Sequence, residues 1–224
     1  MSRFPRIKTD NPNTVGIIDV GIGNTASLIS ALKKSGVNAV AVTQPGDLHS
    51  FSRLMLPGVG NFAAFGRALK DRGFWEPVKE LANREGKSLL GICVGAQILL
   101  SGSEESPLVD GLNLIDGAVR KILPQEARLI PRVGWDSLHF TEASGLSEQF
   151  TDASHPHARY FFSHSFCMDP SDPSTILAVS NISTTIPTIV RRRNLFAVQF
   201  HPERSGISGQ KFLRDFTEGL FDAS

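Results

Sequence analysis

Apolar and polar positions alternate in two different patterns along the first half of the chain. Short β-branched or apolar runs predict four strands, at residues 15–20, 37–42, 53–56 and 87–92. Between these runs apolar residues recur at helical spacing, which predicts helices at 25–35, 62–70 and about 74–85. Strands that alternate with helices of this length are typical of a parallel sheet covered by helices on both faces.

The second half has shorter apolar runs separated by turn residues. These runs predict strands at 112–122, 137–140, 160–168, 176–180, 188–190 and 196–200, followed by an amphipathic helix at 208–221. The pattern therefore predicts an α/β fold with a central, mostly parallel sheet and antiparallel additions in the C-terminal half. Residues 1–13 are polar and contain Pro5 and Pro12, so we expect a loose leader there and a single domain over 14–224.

Composition narrows the class of protein. The 224 residues are 41% hydrophobic and 20% charged, as in an ordinary globular domain with a sizeable core. The net charge of +1 provides no strong field toward nucleic acid or an anionic membrane, so we expect neither as a partner. Two cysteines are too few for a disulfide framework, and the N-terminus has no apolar signal region. No run reaches the ~18 apolar residues of a membrane span, so these features together predict a cytoplasmic protein.

A cysteine flanked by glycines carries the clearest chemical signal. Cys93 ends a predicted strand, with Gly91 two residues before it and Gly95 two residues after it. Small residues on both sides allow a sharp turn from strand to helix, which holds the residue at the apex in a strained, exposed position. A thiol there lies near a helix N-terminus, whose partial positive charge favours the thiolate. We therefore predict that Cys93 is a nucleophile; the alternative, a small buried hydrophobic residue, is our interpretation of Cys167.

A base and a carboxylate occur together much further along the chain. His201 follows a strongly apolar predicted strand, and Glu203 lies two residues beyond it, after Pro202. A carboxylate at this spacing can accept a hydrogen bond from one ring nitrogen and leave the other facing a thiol. An ordinary turn at a strand end is the alternative, but the combination with Cys93 favours catalysis.

Three glycine-rich turns follow predicted strands, at 21–24, 57–60 and 91–95. Ligands of open α/β sheets bind at the carboxyl ends of the strands, so these turns are candidates to line one crevice. The backbone N–H groups of the 57–60 turn and of Val94 are candidate donors to an oxyanion in acyl transfer. The 21–24 turn lacks the third glycine of a dinucleotide fingerprint, and we find neither zinc-ligand spacing nor a Walker loop, so we expect no cofactor and no metal. We expect the basic run at 191–194 to be a solvated hairpin tip; contact with a phosphate or a partner is the alternative.

With these residues in place, the chain resembles the class I (triad) glutamine amidotransferases, and within them the glutaminase subunits of imidazole glycerol phosphate synthases. The cysteine turn and the His-Pro-Glu segment are specific to the superfamily, and the Pro-Gly-Val-Gly and Gly-Trp segments narrow the resemblance to these subunits. It runs nearly end to end, through residues 17–24, 56–62, 91–100, 131–135, 160–166 and 198–204. The resemblance implies a three-layer, flavodoxin-like class I glutamine amidotransferase fold.

The resemblance also implies a role for each site residue. Cys93 attacks the side-chain amide of L-glutamine and forms a γ-glutamyl thioester, which water hydrolyses to glutamate. His201 is the base and then protonates the departing ammonia, and Glu203 orients His201. The oxyanion hole corresponds to the N–H groups of Val94 and Val59, the latter after a flip of the Gly58–Val59 peptide. The glutamine-binding positions are Gly58, Gly60, Gln97, Glu105, His164, Ser165 and Phe166.

The partner implied by the resemblance is a separate (β/α)8-barrel subunit. Ammonia passes through this barrel to make imidazole glycerol phosphate for histidine biosynthesis, and the barrel's ligand activates the glutaminase. One alternative is a paralogous subunit that supplies ammonia for sugar-nucleotide amidation in surface polysaccharide synthesis. Another is a non-catalytic binding protein that retains the fold; the intact Cys93, His201 and Glu203 argue against it.

The sequence departs from the family pattern near the implied glutamine pocket. The usual Cys-Leu-Gly-Met-Gln segment has Val94 and Ala96 in place of leucine and methionine. Arg132 stands where a histidine is usual, and Phe166 and Phe161 stand where tyrosines are common. None of these positions belongs to the triad, so the departures bear on the identity of the partner rather than on the glutaminase chemistry.

Overall fold

The computed structural model describes residues 14–82, 84, 87–125, 129–141, 158–181 and 185–221. The expected leader at 1–13 lies outside the described residues. Among the helices of the described ranges, none is long and apolar enough to cross a membrane.

An eight-stranded sheet forms the centre of the fold. Its strands are β1 (Val15–Ile18), β2 (Ala39–Val42), β3 (Arg53–Gly58), β4 (Ser88–Cys93), β7 (His139–Phe140), β10 (Ile176–Asn181), β11 (Thr185–Arg192) and β12 (Leu195–Val198). They lie in the order β2–β1–β3–β4–β12–β11–β10–β7. The first five strands are parallel and the last three are antiparallel. The predicted mostly parallel sheet with antiparallel additions is therefore confirmed.

Helices cover this sheet because each one presents an apolar stripe to it. They are α1 (Thr25–Lys34), α2 (Phe62–Asp71), α3 (Trp75–Ala82), α4 (Val94–Gln97) and α5 (Gly206–Glu218). In α2 the buried residues Phe62, Phe65 and Leu69 recur at helical spacing, and Asn61 caps the helix by accepting from the N–H of Ala64 at 3.2 Å. The central strands β4 and β12 are buried along their whole length, as expected for strands covered on both faces.

An aromatic cluster attaches α5 to the end of β12. Phe212 and Phe216 on α5 are buried, as the predicted amphipathic pattern requires. The ring of Phe212 lies 5.2 Å from that of Phe200, in an edge-on arrangement. Phe200 directly precedes His201, so the packing of α5 fixes the segment that carries the candidate base.

Two antiparallel ribbons complete the fold beside the main sheet. One pairs β5 (Gly117–Lys121) with β9 (Phe166–Pro170), and the other pairs β6 (Arg132–Asp136) with β8 (Tyr160–His164). The single strand predicted over 160–168 is therefore wrong: the chain bends at Ser165 and passes from one ribbon to the other. This bend brings the backbone of residues 163–166 to the carboxyl edge of the main sheet.

The predicted strand at 112–122 begins too early. Leu112, Leu114 and Ile115 are buried, but the N–H groups of residues 112–115 donate to carbonyl groups just after α4, including Leu112 to Ile98 at 2.8 Å and Leu114 to Leu99 at 2.8 Å. They are thus a buried connection whose backbone is satisfied by a neighbouring turn, and strand β5 starts only at Gly117. Apolar periodicity does not distinguish a buried strand from a buried connection.

Candidate active site

The predicted sharp turn from strand to helix is present at Cys93. Strand β4 ends at Cys93 and α4 begins at Val94; Cys93 has φ 55° and ψ −113°, a conformation that is costly for a residue with a side chain. A Cβ on Gly95 would overlap the carbonyl oxygen of Leu56, so only glycine allows α4 to pack this closely against β3. The expectation that Cys93 is exposed is wrong, because only 4% of it is accessible. Close packing of the glycines encloses the thiol while leaving it at the wall of a cavity.

His201 reaches Cys93 because β12 lies beside β4 in the sheet and runs parallel to it. Its Nδ1 lies 2.9 Å from Oε1 of Glu203, and both side chains are almost fully buried, at 7% and 3% exposure. This contact leaves Nε2 of His201 to face the thiol. Sequence positions 93, 201 and 203 therefore come together as one cluster.

The charge state of His201 follows from these neighbours. Burial lowers its pKa, but hydrogen bonds to Cys93 and Glu203 and the negative charges of both groups outweigh burial, and the pKa rises to about 10. At neutral pH the ring is an imidazolium placed between a carboxylate and the sulfur. This arrangement can stabilise a thiolate and later supply a proton to a leaving group.

A cavity of about 420 Å³ opens beside this cluster. Its volume is in the range of sites for small molecules. Ten of the twelve site residues predicted from the sequence line it: Val59, Gly60, Cys93, Val94, Gln97, Glu105, His164, Ser165, Phe166 and His201. The other two lie behind the lining, Gly58 paired with Cys93 across β3 and β4, and Glu203 against His201.

The loop after β3 is held in place by a carboxylate. Gly60 has φ +88°, which favours glycine, and the N–H of Phe62 at the start of α2 donates to Oε2 of Glu105 at 2.8 Å. Glu105 thus joins the loop after α4 to the loop after β3. Val59, at the mouth of the cavity, remains 37% exposed.

The carbonyl oxygen of Phe166 organises the opposite wall. It accepts from Nε2 of Gln97 at 3.0 Å and from Nδ1 of His164 at 2.8 Å. Because Nδ1 of His164 donates, Nε2 carries a lone pair; this atom is buried and has no partner within the described residues. Burial and the positive charges of Arg132 and His201 lower the pKa of His164 to about 3, although the hydrogen bond that Nδ1 donates to the Phe166 carbonyl raises it, so the ring is neutral.

Arg132 lies directly behind this wall. It pairs with His164 across β6 and β8, its Nη2 lies 2.7 Å from Oδ2 of Asp136, and its guanidinium stacks over the ring of Phe162 at 3.8 Å. Burial lowers the pKa of Arg132 to about 10 although Asp136 raises it. The departure from the family pattern at this position is thus a buried cation that acts on a residue of the cavity.

Sequence reasoning missed Gln199. Its side chain is fully buried, and its Nε2 lies 3.8 Å from Sγ of Cys93. The residue stands in the apolar run before His201, where a polar residue with 0% exposure signals a buried contact.

Two other sequence features lie away from the cavity. The turn at 21–24 is not part of the cavity lining, and Gly23 in this turn packs on the Pro57 carbonyl. The run at 191–194 is the predicted hairpin tip between β11 and β12.

Known proteins match this chain over most of its length. The family model described as glutamine amidotransferase class-I matches residues 16–219. The imidazole glycerol phosphate synthase subunit HisH of Deinococcus radiodurans is 39% identical over 207 residues, which are 92% of this chain and 94% of that protein. The subunit of the same name from Methanothermobacter thermautotrophicus is 39% identical over 206 residues, 91% of this chain and 98% of its own.

Two further similarities concern chain organisation and fold. The imidazole glycerol phosphate synthase hisHF of Emericella nidulans is 34% identical over 213 residues, which are 92% of this chain but only 38% of that protein. A crystal structure described as a glutamine amidotransferase superposes with a TM-score of 0.71, covering 91% of this chain and 97% of its own at 20% identity. That similarity bears on the fold alone.

Proposed function

The chain belongs to the class I glutamine amidotransferase family, and on that basis we propose that it is the glutaminase subunit of an imidazole glycerol phosphate synthase. It releases ammonia from glutamine for a second subunit that uses the ammonia in histidine biosynthesis. The observation that carries the proposal is the cluster of Cys93, His201 and Glu203 at one wall of a cavity suited to a small molecule. The names of the HisH relatives favour this synthase over the alternative of sugar-nucleotide amidation.

The reaction begins at the sulfur of Cys93. The reactive form is an ion pair in which the thiol proton resides on Nε2 of the His201 imidazolium, and the thiolate attacks the side-chain amide carbon of glutamine. Glu203 holds this imidazolium, consistent with the 2.9 Å contact at Nδ1. The C–S bond formed in this step turns the amide oxygen into an oxyanion.

Collapse of the oxyanion breaks the C–N bond. His201 returns its proton to the departing nitrogen, which leaves as ammonia, and the acyl group remains on Cys93 as a γ-glutamyl thioester. Water then attacks the thioester with His201 as base, giving glutamate and the free thiol. The sum of the steps is glutamine plus water to glutamate plus ammonia, so no redox partner is needed.

Two backbone N–H groups are the proposed oxyanion donors. That of Val94 stands at the start of α4, directly after the nucleophile. That of Val59 follows Gly58, whose strand pairs with the end of β4 at Cys93. Donors fixed before the reaction stabilise the developing charge without the cost of reorganisation.

The cavity wall offers matching groups for the rest of the glutamine substrate. Both N–H groups of the Gln97 side chain are engaged, so its Oε1 remains to accept from the α-ammonium group. Glu105, whose Oε2 accepts from the N–H of Phe62, adds a negative charge to the cavity lining. Gly60, Ser165, Phe166 and the neutral His164 complete the proposed pocket.

The rim of the cavity is the proposed contact surface for the partner, a (β/α)8-barrel subunit. Val133 and Trp135, two large apolar side chains on the same face of β6, are 61% and 47% exposed. The Trp135 ring packs edge-on against the Phe161 ring, and the guanidinium of Arg204 lies over the Phe161 ring at 4.0 Å. A partner synthase subunit is supported by the names of the relatives, and the fused protein of Emericella nidulans suggests that both activities work in one assembly. Cys93 and Cys167 form no disulfide, which supports the cytoplasm as the proposed location.

A reconstitution experiment tests the proposal. The chain is mixed with the barrel subunit of the histidine pathway and, separately, with a barrel subunit for sugar-nucleotide amidation, and each pair is assayed for a glutamine-dependent product. We expect a stable complex and product only with the histidine-pathway barrel. Product with the sugar-nucleotide barrel alone would replace the proposed pathway. If neither pair hydrolyses glutamine, the synthase role is contradicted.

A further inference from the structure

The side chain of Gln199, like that of His201, lies close to the sulfur of Cys93. Gln199 is 0% exposed, and its Nε2 lies 3.8 Å from Sγ. Its backbone N–H donates to the carbonyl oxygen of Thr188 on β11 at 3.0 Å, which fixes the segment between β12 and His201. The side chain therefore has a defined place beside the nucleophile.

A chain of hydrogen bonds determines which end of the Gln199 amide faces the sulfur. The carbonyl oxygen of Phe166 can only accept, so the atom of Gln97 that lies 3.0 Å from it is Nε2. That same Nε2 lies 3.1 Å from the Gln199 side chain, whose facing atom is then the acceptor Oε1. The NH₂ end of Gln199 is left to point at Sγ. The orientation follows from the network, since oxygen and nitrogen of an amide have nearly the same shape.

We propose that Gln199 is a further catalytic residue, which donates a hydrogen bond from Nε2 to Sγ of Cys93 and thereby stabilises the thiolate. The inference rests on the proposed glutaminase function and deepens it. A separation of 3.8 Å is long for a bond to a neutral thiol, but hydrogen bonds to an ionised acceptor shorten and strengthen. The site is buried, so a donor that is already oriented has a larger effect there than in water.

The effect of Gln199 depends on pH in a way that a purely structural residue does not reproduce. Loss of the donor moves thiolate formation to higher pH, and at neutral pH less thiolate is present. The remaining thiolate is more nucleophilic, because nucleophilicity rises with basicity with a Brønsted coefficient of about 0.4–0.5. The variant is therefore slow at low pH and equals or exceeds the wild type once both thiols are ionised.

The test is the rate of alkylation by iodoacetamide as a function of pH, followed at Cys93 by peptide mass. Gln199→Met removes the donor and keeps a similar volume; Gln199→Glu replaces the donor with an acceptor. The matched control is Thr188→Val, since Thr188 is also 0% exposed, lies on the adjacent strand, and has a buried hydroxyl with no partner within the described ranges. All variants are first checked for folding by circular dichroism.

We expect the pH midpoint of alkylation to rise by about one unit in Gln199→Met and by more in Gln199→Glu. Well below both midpoints the Met variant should react about threefold to fourfold more slowly than wild type, and once both thiols are ionised it should react about threefold faster. Thr188→Val should follow the wild-type curve. A folded Gln199→Met variant with the wild-type midpoint, or an equal shift in Thr188→Val, would overturn the assignment.

The wild-type chain provides a second measurement that no folding defect can obscure. One Nε2 proton of Gln199 should move downfield in the NMR spectrum as Cys93 ionises, and the absence of any change would also overturn the assignment. Neither experiment uses glutamine or a partner. A shifted midpoint in a chain without glutaminase activity would thus retain the role of Gln199 at the thiol while refuting the proposed function.

Discussion

Two histidines at one cavity are held in opposite charge states. Burial lowers the pKa of both rings, so burial alone does not separate them. The pKa of His201 rises to about 10 because Cys93 and Glu203 stabilise its charged form. The pKa of His164 falls to about 3 because Arg132 and His201 add to the effect of burial. The cavity therefore contains one imidazolium and one neutral acceptor between pH 5 and 8.

The two cysteines provide the first prediction at this scale. Cys93→Ser should reduce glutaminase activity in the reconstituted complex by at least ~10³-fold, because a serine hydroxyl does not ionise near neutral pH. Cys167→Ser is the matched control; Cys167 is fully buried in a small apolar cluster with Ile122 and Ile186. Ammonia release from glutamine is the measurement. Comparable losses in the two variants would refute the assignment of Cys93 as the sole nucleophile.

Arg132 provides the second prediction. Replacing it with Met removes a positive charge beside His164, so the pKa of His164 should rise, while burial still keeps it below the ordinary value of about 6.5. A histidine with a depressed pKa takes up a proton on unfolding, so stability falls as the pH drops from ~6.5 toward 3. The free energy of unfolding of Arg132→Met should therefore decline less steeply over that range. Imidazole ¹⁵N shifts of His164 report the titration directly.

Asp136→Asn is the control for this measurement. It breaks the same ion pair, whose atoms are 2.7 Å apart, but leaves the guanidinium charge in place. The pKa of His164 should then stay low. If both variants shift the titration equally, the geometry of the ribbon rather than the charge of Arg132 keeps His164 neutral.

At the scale of elements, the parallel half of the fold was predictable and the ribbons were predictable only in part, since the runs at 112–122 and 160–168 overlap β5, β8 and β9. Strands β3 and β4 are continuous apolar runs, so apolar pattern and turn residues are enough to find them. Strand β6 has the opposite arrangement: Arg132 and Asp136 face inward while Val133 and Trp135 face outward. A strand with a polar inner face has no pattern that indicates burial, and the sequence prediction placed no strand there. Gln199 escaped notice for the same reason, since only the fold shows what its amide contacts.

The packing of α4 against β3 gives a prediction at this scale. Gly95→Ala should lower the free energy of unfolding by at least about 2 kcal/mol, because the new methyl group would overlap the backbone carbonyl of Leu56, which has no room to move. Gly46→Ala is the control, since a Cβ at Gly46 has no atom within 4 Å. Its free energy of unfolding should stay within ~1 kcal/mol of wild type. Urea denaturation measures both, and equal midpoints for the two variants would contradict the close packing.

For the whole molecule, the functional groups gather at one edge of the sheet. The carboxyl ends of β3, β4 and β12 are adjacent, and they carry Gly58, Cys93 and the segment leading to His201. Parallel strands meet at the same edge, so residues far apart in sequence become neighbours there. The predicted strands at 53–56 and 87–92 indicated this edge from sequence. The resemblance named Ser165 as a pocket residue, but only the ribbons of β5–β9 and β6–β8 show how the chain carries it there.

The same edge couples the cavity to its surroundings, which leads to the last prediction. Val59 belongs to the proposed oxyanion loop, lines the cavity and is 37% exposed. Val133 is 61% exposed and pairs across β6 and β8 with Ser163, another residue of the lining. A partner that covers the rim can therefore fix the Gly58–Val59 peptide, and we expect the isolated chain to hydrolyse glutamine very slowly until the barrel binds.

Val133→Lys places a charge in the covered surface and should weaken the complex at least ~10-fold without changing the slow basal rate. Leu220→Lys is the control, because Leu220 is also an exposed apolar residue, at 43%, but follows α5. Titration of each variant with the barrel, read out as ammonia release, compares the two surfaces; equal activation would exclude Val133 from the interface, and full turnover by the isolated chain would refute the coupling.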